Sequence, residues 1–210
     1  MKILAFSGKK QSGKNALGEF LQRNAAELFP GQRVIQASWA DSLKRLCCDL
    51  FGVEERQAYG DDAAKNEPTI VSWDSFPLCE LPNDKPSRPM TVRELLQYVG
   101  TEFGRRLNPD CWVQATIRHL EREAPDLALI TDTRFPNEVA AAQRHGKVVR
   151  LTRAPFGAND THASEIALDE PAFPVGGFDA VLDNKAMSVA EQNTAMVRLL
   201  QHWGWVRETM

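Results

Sequence analysis

The sequence has 210 residues, of which 43% are hydrophobic and 25% are charged, and this balance is typical of a folded globular protein and excludes a disordered chain. Its 28 acidic and 25 basic residues leave a formal net charge of −3, which excludes an extended surface for DNA or RNA. No apolar run approaches the roughly 20 residues that a membrane-spanning helix needs, and no secretion signal is evident. We therefore expect a cytoplasmic protein without a membrane partner, in which any anion site is local.

The apolar spacing predicts alternating strands and helices at the start of the chain. Residues 2–6 form a short apolar run, and the spacing changes to that of a helix from Asn15. Residues 33–37 predict a second strand, and Asp41–Phe51 predicts a helix that Gly52 ends. Between residues 54 and 90, which contain five of the twelve prolines, the regular alternation breaks down.

The alternation resumes after this stretch. Thr91 and Glu94 form a capping box that predicts a helix to about Phe103, and Asn108-Pro109-Asp110 opens the next helix. The later predicted elements are a strand over 127–131, a helix over Pro136–His145, strands over 147–152 and 178–183, and a helix opened by Ser188 and Glu191. Five strands separated by helices predict a single α/β domain: a three-layer sandwich with a five-stranded, mostly parallel sheet. Ligands bind beyond the carboxyl ends of the strands in such folds.

The loop that follows the first strand carries the strongest functional signal. Its sequence, Gly8-Lys9-Lys10-Gln11-Ser12-Gly13-Lys14, has the form G-x-x-x-x-G-K and precedes a predicted helix. The glycines let the main chain wrap closely around phosphates, the amides and the helix amino terminus face them, and Lys14 can reach the outer phosphates. The alternative is an ordinary turn with an exposed lysine. The flanking strand and helix favour a triphosphate site.

The loop departs from its usual form at the metal position. Asn15 and Ala16 follow Lys14, so the hydroxyl that normally binds Mg²⁺ is missing at both positions. We expect Asn15 to supply an amide oxygen or a contact through water, and we do not expect Ser12 to substitute.

A second cluster follows the predicted strand 127–131. Asp132 can orient hydrated Mg²⁺ and Arg134 can clamp a phosphate with its planar guanidinium, while Glu138 one turn later can pair with Arg134 or bind substrate. The alternative is a helix cap beside a surface arginine.

Other candidates are weaker when taken alone. Lys44, Arg93 and Gln97 lie on predicted helices, and polar side chains on such helices usually face the solvent. Trp112 is either a core residue or a stacking platform for a nucleobase. Arg153 precedes a polar segment over 159–165. Taken alone, this segment would be interpreted as a capped loop.

Taken together, these segments resemble the phage-type deoxynucleoside monophosphate kinases of the P-loop kinase superfamily over nearly the whole chain. The resemblance rests on the loop 7–14, on Arg93 to Thr101, on Trp112-Val113, on Asp132-Thr133-Arg134 with Glu138, and on 159–165. It implies a P-loop kinase sandwich in which residues 54–90 are a substrate-side insert and 153–170 a lid. It also implies Mg²⁺ with ATP as co-substrate, and a location in the host cytoplasm if a phage encodes the chain.

The resemblance also implies roles for individual residues. The residues expected at ATP are Lys10, Gln11, Ser12, Gly13, Lys14, Asn15, Ala16 and Arg153. The residues expected at the monophosphate are Lys44, Arg93, Gln97, Gly100, Thr101, Trp112, Asp132, Arg134 and Glu138. Lys14, Asp132 and Arg134 are the expected catalytic residues, and Asn15 and Asp132 are the expected metal contacts, directly or through water.

The implied reaction moves the γ-phosphoryl group of ATP to a deoxynucleoside monophosphate. Two alternatives stay open: a P-loop kinase that phosphorylates a hydroxyl on a modified base in DNA or on a coenzyme precursor, and a non-catalytic nucleotide-binding module. The accepted base and the oligomeric state, a homodimer included, have no signature in the sequence.

Overall fold

The structure is a computed structural model that describes residues 1–75, 87–155, 166–169 and 171–207. The chain forms two compact units, one of Met1–Trp39 with Thr116–Met210 and one of Ala40–Ala115. In chain order the elements are β1 (Lys2–Ser7), α1 (Lys14–Arg23), α2 (Ala25–Leu28), β2 (Val34–Ala37), α3 (Asp41–Phe51), α4 (Glu55–Tyr59), α5 (Asp62–Lys65), β3 (Pro68–Ser72), a 3-10 turn (Trp73–Ser75), β4 (Pro89–Thr91), α6 (Val92–Gln97), a π-helix (Tyr98–Arg105), α7 (Cys111–Glu123), β5 (Leu127–Thr133), α8 (Pro136–His145), β6 (Gly146–Leu151), a 3-10 turn (Val175–Gly177), β7 (Ala180–Leu182) and α9 (Val189–His202).

The first unit is built on a five-stranded sheet in the order β2-β5-β1-β6-β7. Each neighbouring pair is parallel, which confirms the predicted α/β fold with a parallel sheet. Because β1 lies between β5 and β6, the loops that leave these three strands meet at one edge of the sheet.

The core of this unit explains why its strands are so apolar. Five of the six residues of β1 are buried, as expected for a central strand that is covered on both faces. Residues of β1, β5 and β6 pack with residues of α1 and α9 in one buried cluster, which includes Phe6, Leu17, Leu129, Val149 and Met196. This cluster holds the sheet edge rigidly beneath the loops.

The start of β6 is pressed against β1. Gly146 pairs with Ile3, and a Cβ atom at Gly146 would lie 2.0 Å from the carbonyl oxygen of Ile3. Four residues later Arg150 pairs with Ser7 at the opposite end of the same ladder.

The second unit has its own core, formed by residues of α3, α6 and the two-stranded antiparallel sheet β3-β4. The helix after β4 begins with the predicted capping box, in which the Thr91 hydroxyl accepts from the Glu94 N–H and the Glu94 carboxylate accepts from the Thr91 N–H. It continues into the π-helix, a geometry that occurs frequently at functional sites.

Several predicted bounds agree with the structure and others shift. The helices Asp41–Phe51 and Pro136–His145 and the capping box at Ser188 are as predicted. β5 is longer than the predicted strand: Asp132 and Thr133 belong to it, because the ladder continues to the pairing of Ser7 with Thr133.

Two further expectations concern the segment 159–165 and the membrane. The predicted segment 159–165 lies outside the described residues. In the part of the chain that the structure describes, no helix is both long and apolar enough to cross a membrane.

Candidate active site

The loop after β1 has the backbone geometry that its glycines predict. Gly8 has φ 154° and Gly13 has φ 101°, values that side chains disfavour. A Cβ atom at Gly8 would also lie 2.5 Å from the Ser12 hydroxyl oxygen, so the loop closes tightly on itself. Gly13 is the N-cap of α1, and among the described residues no side chain caps this helix. The first amides of α1 therefore stay available for an anion.

Lys14 lies inside this loop. Its Nζ donates to the carbonyl oxygens of Gly8 at 2.7 Å and Lys9 at 2.8 Å, and the Ser12 hydroxyl is 3.4 Å away. The side chain is buried, and burial lowers the pKa of Lys14 to about 7, with further lowering by Arg134 and Arg150 and an opposing effect of Asp132. Arg134 follows β5 and Arg150 lies on β6, and these strands flank β1, so three basic side chains lie at this edge of the sheet, where an anion would be stabilised.

Sequence reasoning missed Arg150. It ends a run of apolar residues on β6, and its guanidinium donates to the Ser7 hydroxyl at 2.9 Å. A charged residue near the carboxyl end of a buried parallel strand was the available signal, because such an end faces the ligand-binding edge.

Asp169 joins Arg150 to a further cation of the loop, Lys9. It accepts from Arg150 at 3.0 Å and from Lys9 of the loop. The pairs are only partly shielded from solvent, since Asp169 is 31% exposed, so this carboxylate lies where an anionic ligand would compete with it.

The Asp132 carboxylate is oriented by two hydrogen bonds from the residues after β2. The Ser38 hydroxyl donates to Oδ2 at 2.5 Å and the Trp39 N–H donates to Oδ1 at 2.9 Å. The Trp39 indole in turn donates to Thr133 at 3.1 Å. The negative charge of Asp132 raises the pKa of Lys14 and so opposes the lowering by burial and by the two arginines.

Glu138 occupies a capping position. It is 2% exposed, and its Oε2 accepts from the main-chain N–H groups of Arg134 at 2.7 Å and Phe135 at 3.0 Å. A buried carboxylate here fixes the turn that carries Arg134. The capping role of Glu138 was not among the expectations, which were pairing with Arg134 or binding of substrate.

The other residues predicted at ATP differ in their surroundings. Lys10, Gln11 and Asn15 are exposed, and Gln11 has a φ of 56°. Arg153 donates from its side chain to the main-chain carbonyls of Asn184 and Met187, so its guanidinium is bound to the loop that precedes α9.

The residues predicted at the monophosphate are divided between the units, and Lys44, Arg93, Gln97, Gly100, Thr101 and Trp112 belong to the second. Arg93 pairs with Asp62 at 2.6 Å. Lys44 lies 3.9 Å from the Asp41 carboxylate and 4.6 Å from the centre of the Tyr59 ring. Gln97 is the last residue of α6 and is half-buried.

Trp112 is held against the π-helix. Its indole N–H donates to the Gly100 carbonyl at 2.9 Å, and a Cβ atom at Gly104 would lie 2.4 Å from its ring. Gly100 is similarly close to Leu43, where a Cβ atom would lie 2.8 Å away. Thr101 follows within the same π-helix and is half-buried.

The donor set fits a metal that a triphosphate carries rather than one in a protein cage. In the described ranges no group of three or more His, Cys, Asp or Glu side chains is placed to hold a metal ion. Asp132 offers one carboxylate beside the loop, and Asn15 offers an exposed amide at the start of α1. One or two such groups together with phosphate oxygens are the usual surroundings of Mg²⁺.

Comparison with known proteins finds relatives that are named as kinases. No protein-family model matches the sequence. The chain is 27% identical over 197 residues, 88% of its length and 89% of the relative's, to a protein of Acanthamoeba polyphaga mimivirus named putative deoxynucleotide monophosphate kinase. It is 47% identical over 50 residues, 23% of its length and 20% of the relative's, to the deoxynucleoside-5'-monophosphate kinase of Escherichia phage T5.

A solved structure shares the fold. The crystal structure of shikimate kinase from Bacteroides thetaiotaomicron superposes with a TM-score of 0.50 at 13% identity and covers 96% of this chain and 97% of its own. The glycine loop, the parallel sheet and the kinase relatives lead to one conclusion: the chain has the fold of a P-loop kinase and is a phosphotransferase.

Proposed function

We propose that this chain transfers the γ-phosphoryl group of ATP to the phosphate of a deoxynucleoside monophosphate, giving ADP and a deoxynucleoside diphosphate. The observation that carries the proposal is the placement of the buried Lys14 in the glycine loop after β1, with Arg134 just after the neighbouring strand β5 and Arg150 near the end of β6. The nearly full-length mimivirus relative supports the choice of acceptor.

The chemistry requires positioning and charge neutralisation. The second pKa of a phosphate monoester is near 6, so the acceptor oxygen is already ionised at neutral pH and needs no general base. Lys14, Arg134 and Arg150 would neutralise the negative charge that two phosphate groups bring together. The amides at the start of α1 would bind the phosphate tail.

The residues Asn15 and Asp132 would hold the metal. Mg²⁺ held there would supply positive charge against the negative charge that develops during phosphoryl transfer. Asp132 is already oriented by Ser38 and Trp39, so its carboxylate needs little rearrangement to accept a hydrated cation.

The residues of the second unit would bind the monophosphate. Arg93 carries a charge suited to its phosphate, and its pairing with Asp62 is a contact that an incoming phosphate can replace. Residues 54–90 are proposed to contribute to the choice of base, and the segment 153–170 is proposed as the lid.

A panel assay tests the proposal. Purified protein is mixed with MgATP and each of the four deoxynucleoside monophosphates, the ribonucleotides and hydroxymethylated DNA, and ADP release is recorded. Turnover with at least one deoxynucleoside monophosphate is expected. Turnover with hydroxymethylated DNA alone would identify a hydroxyl kinase, and ATP binding without turnover on any acceptor would identify a binding module.

A further inference from the structure

Two buried amide side chains lie behind the glycine loop and have no role in the proposed chemistry. Asn184, after β7, and Gln192, in α9, are both 0% exposed. The Asn184 side-chain amide donates to the Gln192 Oε1 at 2.6 Å. Buried amides are costly unless their hydrogen bonds are made, so the partners of this pair indicate what it does.

Both amides hold main-chain carbonyls of the loop. Asn184 Nδ2 donates to the Ser12 carbonyl at 2.7 Å, and Gln192 Nε2 donates to the Gly13 carbonyl at 3.3 Å. The Gly13 carbonyl also accepts from the Leu17 N–H at 3.0 Å, the first helical bond of α1. Two consecutive peptide groups are thereby held from one side.

Because the peptide bond is planar, a restraint on a carbonyl group also fixes the direction of the next residue's N–H group. In a trans peptide the C=O and the following N–H point in opposite directions. Holding the carbonyls of Ser12 and Gly13 therefore directs the N–H groups of Gly13 and Lys14 away from the amide pair. These N–H groups are among the donors that a phosphate tail would use.

Close packing makes the restraint specific. A Cβ atom at Gly13 would lie 2.5 Å from the Gln192 Oε1, so the glutamine amide packs directly on the loop. Asn184 Oδ1 also accepts from the Arg153 N–H at 2.9 Å, and the pair thus joins the loop to a residue expected at ATP.

We propose that Gln192 and Asn184 are positioning residues for the triphosphate: their buried amide pair sets the orientation of the Ser12 and Gly13 peptide groups so that the loop amides face the phosphates. This inference rests on the proposed binding of ATP by the loop. It assigns a function to the start of α9 and to the turn after β7.

The first test is the variant Gln192→Met, which keeps the side-chain volume but removes the amide. Dissociation constants of ATP and of inorganic tripolyphosphate are measured by titration calorimetry. Loss of one hydrogen bond to a loop carbonyl is expected to weaken both ligands by about five- to tenfold, with the KM of the monophosphate unchanged. Gln22→Met is the matched control, because Gln22 donates to the Val34 carbonyl at 3.1 Å away from the loop.

The second test, Gln192→Glu, separates positioning from a merely structural role. An ionised carboxylate accepts from Asn184 but has no hydrogen for the Gly13 carbonyl, whereas the protonated acid does. The ratio of the variant's ATP dissociation constant to that of the wild type is therefore expected to fall toward one as the pH is lowered from 8 to about 5.

The outcomes distinguish this inference from the proposed function. Unchanged ATP and tripolyphosphate binding in Gln192→Met, while the wild type binds both, overturns the inference alone. A loss confined to ATP, with tripolyphosphate binding unchanged, places the effect away from the phosphates and also overturns it, as does a ratio for Gln192→Glu that is independent of pH. A wild-type chain that binds no ATP overturns the proposed function and the inference with it.

Discussion

Lys14 donates a hydrogen bond from its buried ammonium group to the carbonyl oxygen of Gly8 at 2.7 Å. The lysine thus binds to its own loop, and its pKa is lowered to about 7, first by burial and then by Arg134 and Arg150. A bound phosphate tail would add negative charge and raise this pKa toward the ordinary value of a lysine. Ligand binding and protonation of Lys14 are therefore coupled.

Binding of ATP should take up a proton above pH 7. At pH 8.5 Lys14 is mostly neutral before binding and charged afterwards, so close to one proton is taken up; at pH 6 it is already charged and the uptake from this group is small. Titration calorimetry in buffers of different ionisation enthalpy measures the uptake. The absence of uptake at pH 8.5 would show that Lys14 is charged before the ligand binds.

Replacing Lys14 by Met should abolish most of the activity and alter the pH dependence of stability. We expect kcat/KM to fall about a thousandfold, a loss typical of removing a group that stabilises transition-state charge. The exposed Lys10 provides a control, since Lys10→Met should have a milder effect.

Folding lowers the pKa of Lys14, so a charged Lys14 destabilises the folded chain. This destabilisation is present in full below pH 7 and disappears as the pH rises toward 10.5. The free energy of unfolding of the wild type relative to Lys14→Met should therefore increase between pH 7 and pH 10, as measured by urea unfolding.

Asn15 should determine how the enzyme uses magnesium. Asn15→Ala removes the amide oxygen, so we expect the Mg²⁺ concentration for half-maximal turnover to rise severalfold. Asn15→Thr supplies the hydroxyl usual in this loop and should lower that concentration below the wild-type value. Steady-state rates over a magnesium titration provide the measurement, and identical curves for the wild type and Asn15→Ala would contradict the proposed contact.

Removing the Asp169 carboxylate should strengthen nucleotide binding. Asp169 pairs with Lys9 and Arg150, so an anionic ligand must compete with it for these cations. Asp169→Asn removes this competition, and we expect the dissociation constant of ATP to decrease about three- to tenfold, as for a partly exposed ion pair. Asp179→Asn is a control, because it breaks a similar pair with Lys147 without touching Lys9 or Arg150. Weaker binding in Asp169→Asn would show that the carboxylate orients the cations for the ligand instead.

The indole N–H of Trp112 should matter for the monophosphate and not for ATP. Trp112→Phe loses the hydrogen bond to the Gly100 carbonyl, and we expect about 1 kcal/mol less stability and a severalfold higher KM for the monophosphate. Initial rates at varied monophosphate and varied ATP separate the two constants. An increase confined to the KM of ATP would contradict the proposed role of the π-helix.

The sequence was sufficient for the central sheet and for the glycine loop. Short apolar runs identify buried parallel strands, and the capping residues Thr91, Glu94, Ser188 and Glu191 define helix starts through local hydrogen bonds. Such short-range signals need no knowledge of the rest of the chain.

Long-range contacts were not predictable in the same way. Asp169 lies 160 residues from Lys9, and Gln192 lies 179 residues from Gly13, so no local pattern links them. The end of β5 was placed too early because Asp132 is polar, whereas pairing of Thr133 with Ser7 extends the strand. Arg150 was overlooked because its strand was interpreted for its apolar residues alone.

The contact between Gly146 and Ile3 limits evolution at a position without chemistry of its own. Any side chain at 146 would force β6 away from β1, and a strand is stiff enough to carry that displacement over the about 13 Å to Arg150. The guanidinium would then lose its alignment with Ser7. The tolerance of residue 146 to substitution is thus expected to depend on the placement of Arg150 at the far end of the strand as much as on folding.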